Sequence, residues 1–416
     1  MNANNLYRGL FELLTGPHDE AASSIPNASG RNARRELLSV ARKEGCLPEL
    51  YAGWEADNLL SPSEAIEHEQ FVRRRASAAA VRRVLPAGSL LAGSGGLCRD
   101  PSTLEVLLAD FAAIGPLHEA VGQLGYRLEG TGEWLVSLRD PLQRGAATFR
   151  YAMASQTQSA ATIEVQVAGV PIDARRNLPF ADLAEHAIRI DGLACRTLDP
   201  TRQVLHRIAS FGARLEPVTV REIAEIHLLL KRSAQRIDHA WLQAKLDYLD
   251  AWIGLRQLRE AIVAKRLSAL LSWGEFGRMI EASVARTDAV ATRRKRAPRA
   301  GTFLKNGFEL LQGPRRNDVA AKLARAPWLV SRVWASGHRV CGVPVSTKAF
   351  DAPRLLRIDG ALYLATGAGL ILLSLVDLND GARAAVSEGV RIGGRPVVLA
   401  RWAAARTSRR ARAGTP

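Results

Sequence analysis

The segment Leu90–Leu108, LLAGSGGLCRDPSTLEVLL, is the part of the chain that best indicates its fold. An apolar run leads into a turn of small residues at Gly93 and Ser94, and a second run, alternating polar and apolar residues, starts at Thr103. Because successive strand side chains point to opposite faces, Thr103 and Glu105 are expected on one face. Two such oxygen donors can bind Mg²⁺ together with phosphate oxygens, and the N–H groups of a small-residue turn can approach a phosphate. The segment therefore predicts a phosphoryl-transfer site.

The residues after the turn resemble an uncharacterised nucleotidyltransferase family of the DNA polymerase β-like nucleotidyltransferase superfamily. The family motif is a glycine turn followed by R-x-x-[GS]-D-I-D-L-L-V, and Arg99 and Ser102–Leu108 stand at those positions. The resemblance extends over about residues 85–260. Further family motifs are similar, in the same order, to Leu124–Tyr126, Ile163–Val167, Glu185–Leu193, Leu198–Pro200, Arg221–Ile226 and Ile237–Trp241.

The resemblance implies an α+β fold. A nucleotidyltransferase-like palm, a small mixed sheet with helices, is flanked by helical regions and followed by a small C-terminal β-containing domain. The implied reaction transfers a nucleoside monophosphate from a Mg²⁺-bound nucleoside triphosphate to a hydroxyl or another nucleophile on a small-molecule, peptide or protein acceptor. The metal ligands are then Glu105 and Glu164, with Thr103 as a weaker third catalytic position. The remaining positions would contact the nucleotide: Gly93, Ser94 and Arg99.

Two metal-binding positions of the family carry different residues here. Thr103 replaces the first aspartate with a neutral hydroxyl, and Glu105 replaces the second and is one methylene longer. Loss of a carboxylate removes a charge opposite a divalent cation, and electrostatic stabilisation is commonly the largest catalytic contribution. Asp100 and Asp110 are candidates to replace that carboxylate. The second hypothesis is therefore a catalytically degenerate nucleotidyltransferase scaffold that binds a peptide, a protein or a polyanion.

Simpler roles remain open for several of these residues. Glu105 and Glu164 are also typical of polar positions on a half-exposed sheet, and Arg99 of a surface ion pair. His186 and His206 lie in predicted helices, where a capping or core histidine is commoner than a general base.

Composition and periodicity divide the chain into six parts. Residues 1–85 are predicted as an N-terminal helical region, and residues 86–178, with short β-like runs and one helical stretch, as the palm. Apolar residues at three- and four-residue spacing indicate a helical domain over 179–292. The other parts are a basic linker, a C-terminal α/β-containing domain and a disordered basic tail: 293–300, 301–402 and 403–416.

The charge of the chain is strongly positive. Its 416 residues include 57 Lys and Arg against 41 Asp and Glu, a net charge of +16. Five basic residues lie between Arg293 and Arg299, and five more between Arg401 and Arg412. This balance favours polyanionic partners: a nucleoside triphosphate at the palm, and nucleic acid through the basic segments. Solvated arginine-rich segments would give the same composition.

The remaining composition indicates a globular chain of the cytoplasm. A hydrophobic fraction of 47% permits a sizeable core and excludes wholesale disorder. The four cysteines are far apart, which argues against a disulfide framework and favours a reducing compartment. The N-terminus has no secretory signal. The longest uncharged apolar stretch, Ala361–Val376, has 16 residues, includes glycines and is shorter than a span of about 20, so we predict buried strands and no membrane span.

Overall fold

A computed structural model describes most of the chain up to residue 294 and part of the remainder. The described residues are 3–16, 31–92, 103–135, 146–153, 160–171, 177–213, 217–249, 251–294, 340–358, 361–374, 391–392 and 395–396. Within them, helices pack on both faces of a mixed β-sheet. The α+β fold class predicted from the sequence is confirmed.

The described residues of the N-terminal region form four helices. Sequence signals fix the start of the longest, Pro62–Val84: proline occupies its first position, and Ser61 and Glu64 form a capping box in which the Ser61 N–H donates to Glu64 Oε2 at 2.8 Å. The four helices are α1 (Ala3–Thr15), α2 (Arg31–Lys43), α3 (Leu47–Ala56) and α4 (Pro62–Val84).

The central sheet is mixed because two of its strand pairs are parallel. β2 (Thr103–Leu108) runs parallel to β5 (Thr162–Val167), whereas its other neighbour, β1 (Leu90–Leu91), is antiparallel. The other strands of the N-terminal half are β3 (Tyr126–Leu135), β4 (Ala146–Met153), β6 (Gly169–Pro171), β7 (Asn177–Pro179), β8 (Ile188–Arg189) and β9 (Arg196–Thr197), with β6 and β7 in a separate two-stranded sheet. In the main sheet these strands have the spatial order β3-β4-β5-β2-β1-β9-β8, and four C-terminal strands continue it beyond β3.

The two faces of β2 contact different hydrophobic cores. Leu104, Val106 and Leu108 pack with Val81 of α4 in one core, which also includes α5 (Ile114–Gln123). Leu107, on the other face, belongs to the core of the helical half. Strand alternation places Thr103 and Glu105 on the Leu107 face. The polar end of β2 therefore faces the helical half.

The helical half consists mainly of α7 (Pro200–Ala213), α8 (Val220–Arg232), α9 (His239–Leu249), α10 (Trp252–Ala264) and α11 (Gly274–Arg294), preceded by the short α6 (Phe180–Ala184). A Thr219–Glu222 capping box starts α8: the Thr219 N–H donates to Glu222 Oε2 at 2.9 Å. The α7 and α10 helices touch backbone to backbone, since a Cβ placed on Gly254 would lie 1.9 Å from the carbonyl oxygen of Ile208. The position of α7, which faces β2, thus depends on a glycine of α10.

The C-terminal strands continue the same sheet. β10 (Val340–Ser346) pairs antiparallel with β3, with Val340 opposite Trp134. The predicted buried strands of Ala361–Val376 are present as an antiparallel pair. The strands beyond β10 are β11 (Arg354–Ile358), β12 (Ala361–Thr366), β13 (Gly369–Ser374), and the short pair β14 (Arg391–Ile392) and β15 (Arg395–Pro396).

The predicted linker and tail fall mainly outside the described part of the chain. Residues 295–339 and 397–416 belong to the undescribed stretches, so the boundaries proposed at 293, 301 and 403 stay predictions. No helix among the described residues is long and apolar enough to cross a membrane.

Candidate functional site

The register between β2 and β5 brings two carboxylates together. Glu105 pairs with Glu164 and Thr103 with Thr162, in parallel orientation. Neighbouring strands lie about 4.8 Å apart, and residues in register on parallel strands share a face. The Oγ1 atoms of Thr103 and Thr162 are 3.1 Å apart, which confirms that both hydroxyls point to the same side. Two carboxylates and two hydroxyls thus form one polar patch at the end of the parallel pair.

The patch continues across the next strands of the sheet. Gln166, two residues after Glu164, donates from Nε2 to Glu164 Oε1 at 3.0 Å. Arg150 of β4 stands opposite Glu164 in the strand register and forms an ion pair with Glu129 of β3, Nε to Oε2 3.4 Å. One carboxylate of the patch is therefore held by an amide.

The α7 helix provides the opposite wall of the site. Its Arg207 places Nη1 3.7 Å from Glu105 Oε2, and its His206 places Nδ1 3.9 Å from the same oxygen. The Glu105 side chain is 18% exposed, so the arginine is close to a carboxylate that is largely shielded from water. This contact opposes the negative charge of Glu105 at short range.

His206 is a neutral neighbour of Glu105 rather than an ion-pair partner. Its side chain is 1% exposed, and this burial lowers the pKa of His206, an effect that the Glu105 carboxylate opposes and the Arg207 charge reinforces. Neither ring nitrogen has a hydrogen-bond partner among the described residues. The histidine predicted as a core or cap residue is indeed in the core, in direct contact with the site.

A series of ion pairs connects Arg207 to the N-terminal helices. Arg207 Nη2 lies 3.1 Å from Glu225 Oε2 of α8, and Glu225 Oε1 lies 3.9 Å from Arg221 Nε. Arg221 in turn donates from Nη2 to Glu49 Oε1 of α3 at 2.7 Å and from Nη1 to the Gly45 carbonyl, also at 2.7 Å. Charges of alternating sign thus extend from α3 to the palm carboxylate Glu105.

The predicted site residues divide into two groups. The structure brings Thr103, Glu105 and Glu164 together on one sheet face; their catalytic and metal-binding roles stay predictions. Gly93, Ser94 and Arg99 lie outside the described residues, as does Asp100. The described chain before them ends beside the patch, because the Ala92 N–H donates to the Glu105 carbonyl at 3.1 Å.

Asp110 is engaged elsewhere and does not join the patch. Its Oδ1 accepts from the N–H groups of Ala112 and Ala113 at 2.9 and 3.1 Å, so it caps the 3₁₀ turn that precedes α5. Because it follows β2 at the end away from Thr103, it is not the replacement carboxylate considered from the sequence.

Sequence reasoning missed Arg207 and Glu225. Both lie in correctly predicted helices, but the contact of Arg207 with Glu105 joins residues far apart in the chain. Only the packing of α7 over β2 creates that contact, and no spacing in the sequence indicates it.

The donor set is compatible with one magnesium ion that also binds phosphate. Mg²⁺ in nucleotide sites commonly takes one or two protein carboxylates and completes its shell with phosphate oxygens and water. The in-register pair of Glu105 and Glu164 matches that requirement. Among the described residues no cluster of three or more His, Cys, Asp and Glu side chains could hold a metal ion, so a site with three carboxylates is not formed there.

Comparison with known proteins gives little further information. No family model matches the chain, and no curated protein sequence matches it. A solved structure from H. pylori, provisionally named a nucleotidyltransferase, is similar at 18% identity and a TM-score of 0.28. The similarity covers 56% of this chain and 99% of that one. At this TM-score the similarity carries no argument about function.

Proposed function

We propose that this protein is a nucleotidyltransferase that binds a Mg²⁺-nucleoside triphosphate on the β2–β5 face and transfers the nucleoside monophosphate to an acceptor. The acceptor nucleophile is a hydroxyl or another group on a small molecule, a peptide or a protein. The observation that carries the proposal is the parallel register of Glu105 with Glu164, which places two carboxylates side by side on the face that meets the helical half. The ordered motif resemblance supports the same assignment.

In this proposal each residue has a separate task. Glu105 and Glu164 hold the metal, which would neutralise part of the triphosphate charge. Thr103 offers a neutral oxygen at the same end of β2. The residues after Ala92, among them Gly93 and Ser94, supply N–H groups to a phosphate, and Arg99 supplies a charge. Because the two carboxylates lie on hydrogen-bonded neighbouring strands, the sheet keeps them in position before the ligand arrives.

The first prediction concerns the two carboxylates. Glu105→Gln and Glu164→Gln keep the side-chain shape and remove the charge, so each should weaken Mg²⁺-nucleotide binding at least about tenfold. Isothermal titration with Mg²⁺ and each of the four nucleoside triphosphates measures this directly. The matched control is Glu281→Gln, on α11 and in an exposed ion pair with Arg259, which should bind like the wild type. Absence of binding by the wild type, or equal binding by all variants, would exclude a nucleotide site here.

A second candidate function is a degenerate palm that serves as a binding scaffold. Two observations favour it: Thr103 provides no charge, and Arg207 lies 3.7 Å from the carboxylate that a metal would need. Such a scaffold would bind a peptide, a protein or a polyanion without transferring a nucleotide.

A gain-of-charge variant separates the two candidates. Thr103 is exposed at the start of β2, so Thr103→Asp can be accommodated and adds a third carboxylate beside Glu105 and Glu164. We expect Mg²⁺-nucleotide affinity to rise about tenfold, while the neutral, similarly sized Thr103→Asn has no such effect. Transfer is measured with radiolabelled triphosphates and candidate acceptors. Transfer by the wild type supports the enzyme, whereas transfer that requires Thr103→Asp identifies a site that has lost its activity.

A further inference from the structure

Arg207 lies between two carboxylates that belong to different halves of the molecule. Its Nη2 is 3.1 Å from Glu225 Oε2 on α8, and its Nη1 is 3.7 Å from Glu105 Oε2 on β2. All three side chains are largely shielded from water, with exposed fractions of 19% for Arg207, 10% for Glu225 and 18% for Glu105. Ion pairs at such positions are screened less than those at the surface.

The two contacts differ in strength. The Glu225 contact is the shorter, and Glu225 is in turn near Arg221, which two 2.7 Å hydrogen bonds fix to α3 and the turn before it. The Arg207–Glu225 pair lacks the alignment of a hydrogen bond, since Glu225 Oε2 has no hydrogen-bond partner among the described residues. The Glu105 contact, at 3.7 Å, is electrostatic only. Of its two carboxylate contacts, Arg207 therefore makes the shorter one with Glu225 and the weaker one with Glu105.

We propose that Arg207 balances the charge of Glu105 in the unliganded protein and contacts a phosphate group when a Mg²⁺-nucleotide is bound, with Glu225 as the residue that positions it. The inference rests on the proposed function and adds to it a phosphate contact from the helical half. A largely buried carboxylate needs a counter-charge, and Arg207 supplies one in the unliganded state. A divalent cation on Glu105 takes over that task. The guanidinium is then next to the bound phosphates, for which its planar donors are well suited.

The proposal predicts that one substitution, Arg207→Gln, tightens the binding of a metal ion alone and weakens the binding of a nucleotide. Arg207→Gln removes the cation that competes at Glu105, so binding of Mn²⁺ alone, titrated as a probe of the metal position, should tighten about threefold. The same variant lacks the phosphate contact, so Mg²⁺-ATP binding should weaken about tenfold. Arg207→Lys keeps the positive charge but lacks the paired N–H donors of the guanidinium group. It should leave Mn²⁺ binding unchanged and restore only part of the Mg²⁺-ATP affinity.

The proposed role of Glu225, which is to position Arg207, is tested by substituting Glu225 itself. Glu225→Gln should weaken Mg²⁺-ATP binding several-fold and leave the binding of Mn²⁺ alone no tighter, because Arg207 then moves closer to Glu105. Arg259→Gln is the matched control, since Arg259 of α10 forms an ion pair near the surface with Glu281 of α11 and should bind both probes like the wild type. Thermal unfolding of each variant verifies that it is folded.

The outcomes separate this inference from the proposed function. If Arg207→Gln shifts both affinities in the same direction, or neither, while the wild type binds Mg²⁺-ATP, Arg207 has only a structural role and the inference is wrong. If the wild type binds none of the four Mg²⁺-nucleoside triphosphates, the proposed function fails and the phosphate contact with it, whatever the variant does to Mn²⁺ binding; if it binds one other than ATP, that nucleotide replaces ATP in the titrations above. If Arg207→Gln does not fold, Arg207→Lys decides: a wild-type Mg²⁺-ATP affinity in that variant overturns the inference.

Discussion

Gly254→Ala is expected to lower the free energy of unfolding by about 3 kcal/mol or more, because the added methyl group collides with backbone. The new Cβ would lie 1.9 Å from the carbonyl oxygen of Ile208 and 2.9 Å from its carbonyl carbon. Neither atom can turn aside as a flexible side chain would. Relief requires α7 and α10 to separate, which opens the core of the helical half. Urea unfolding followed by circular dichroism measures the loss.

The matched control is another helical glycine. A Cβ at Gly277 of α11 meets its nearest atom, Trp273 Cβ, at 3.9 Å, which is ordinary van der Waals contact. Gly277→Ala should therefore stabilise the protein by up to about 1 kcal/mol through helix propensity. A wild-type unfolding midpoint for Gly254→Ala would contradict the close contact between the helices.

The same substitution connects stability to the site. The α7 helix carries Ile208 next to Arg207 and His206, so a displacement of α7 changes the position of the arginine relative to Glu105. Any Gly254→Ala protein that remains folded should therefore differ from the wild type in its metal and nucleotide binding. The close contact of two helices thus contributes to the geometry of the polar patch.

Local signals in the sequence were sufficient for several of the elements, but not for β10, which lies partly in a stretch that the sequence pattern indicated as helical. The alternation of Thr103–Leu108 correctly separates a polar from an apolar strand face. Gly125, just after the end of α5, has a φ of 85°, a conformation that favours glycine and is typical of a helix stop. The expectation that Thr103, Glu105 and Glu164 lie together depended on the motif resemblance as well, because strand order cannot be derived from alternation alone.

Long-range pairing was beyond sequence reasoning for a physical reason. The ion pairs of Arg207 depend on the crossing of α7 over β2, and the addition of β10 to the edge of β3 depends on backbone hydrogen bonds that any residue can make. In the sequence, Gly254 is an isolated glycine in a helical pattern. Only the position of Ile208 shows that there is no room for a Cβ at this residue. These features result from packing between distant segments, which periodicity does not encode.

Glu44→Ala is expected to lower the free energy of unfolding by about 3–5 kcal/mol, because it removes one partner of a buried ion pair. Glu44 is 2% exposed; its Oε1 accepts from Lys265 Nζ and its Oε2 from the Val220 N–H, both at 2.7 Å. Alanine would leave the ammonium of Lys265, itself 11% exposed, without that counter-charge and the first N–H of α8 without that acceptor. Denaturant unfolding monitored by tryptophan fluorescence measures the effect.

A double variant distinguishes the cost of an unpaired buried charge from the cost of losing the hydrogen bond to α8. Glu44→Gln with Lys265→Met removes both charges and retains an acceptor for Val220, so it should be more stable than Glu44→Ala. Glu12→Ala removes an exposed pair with Arg8 and should cost less than about 0.5 kcal/mol. If Glu44→Ala were as mild as Glu12→Ala, water would have to reach Lys265 freely. Since Glu44 accepts from the first N–H of α8, and α8 carries Glu225, the pair of Glu44 with Lys265 connects the N-terminal helices to the helix whose carboxylate contacts Arg207.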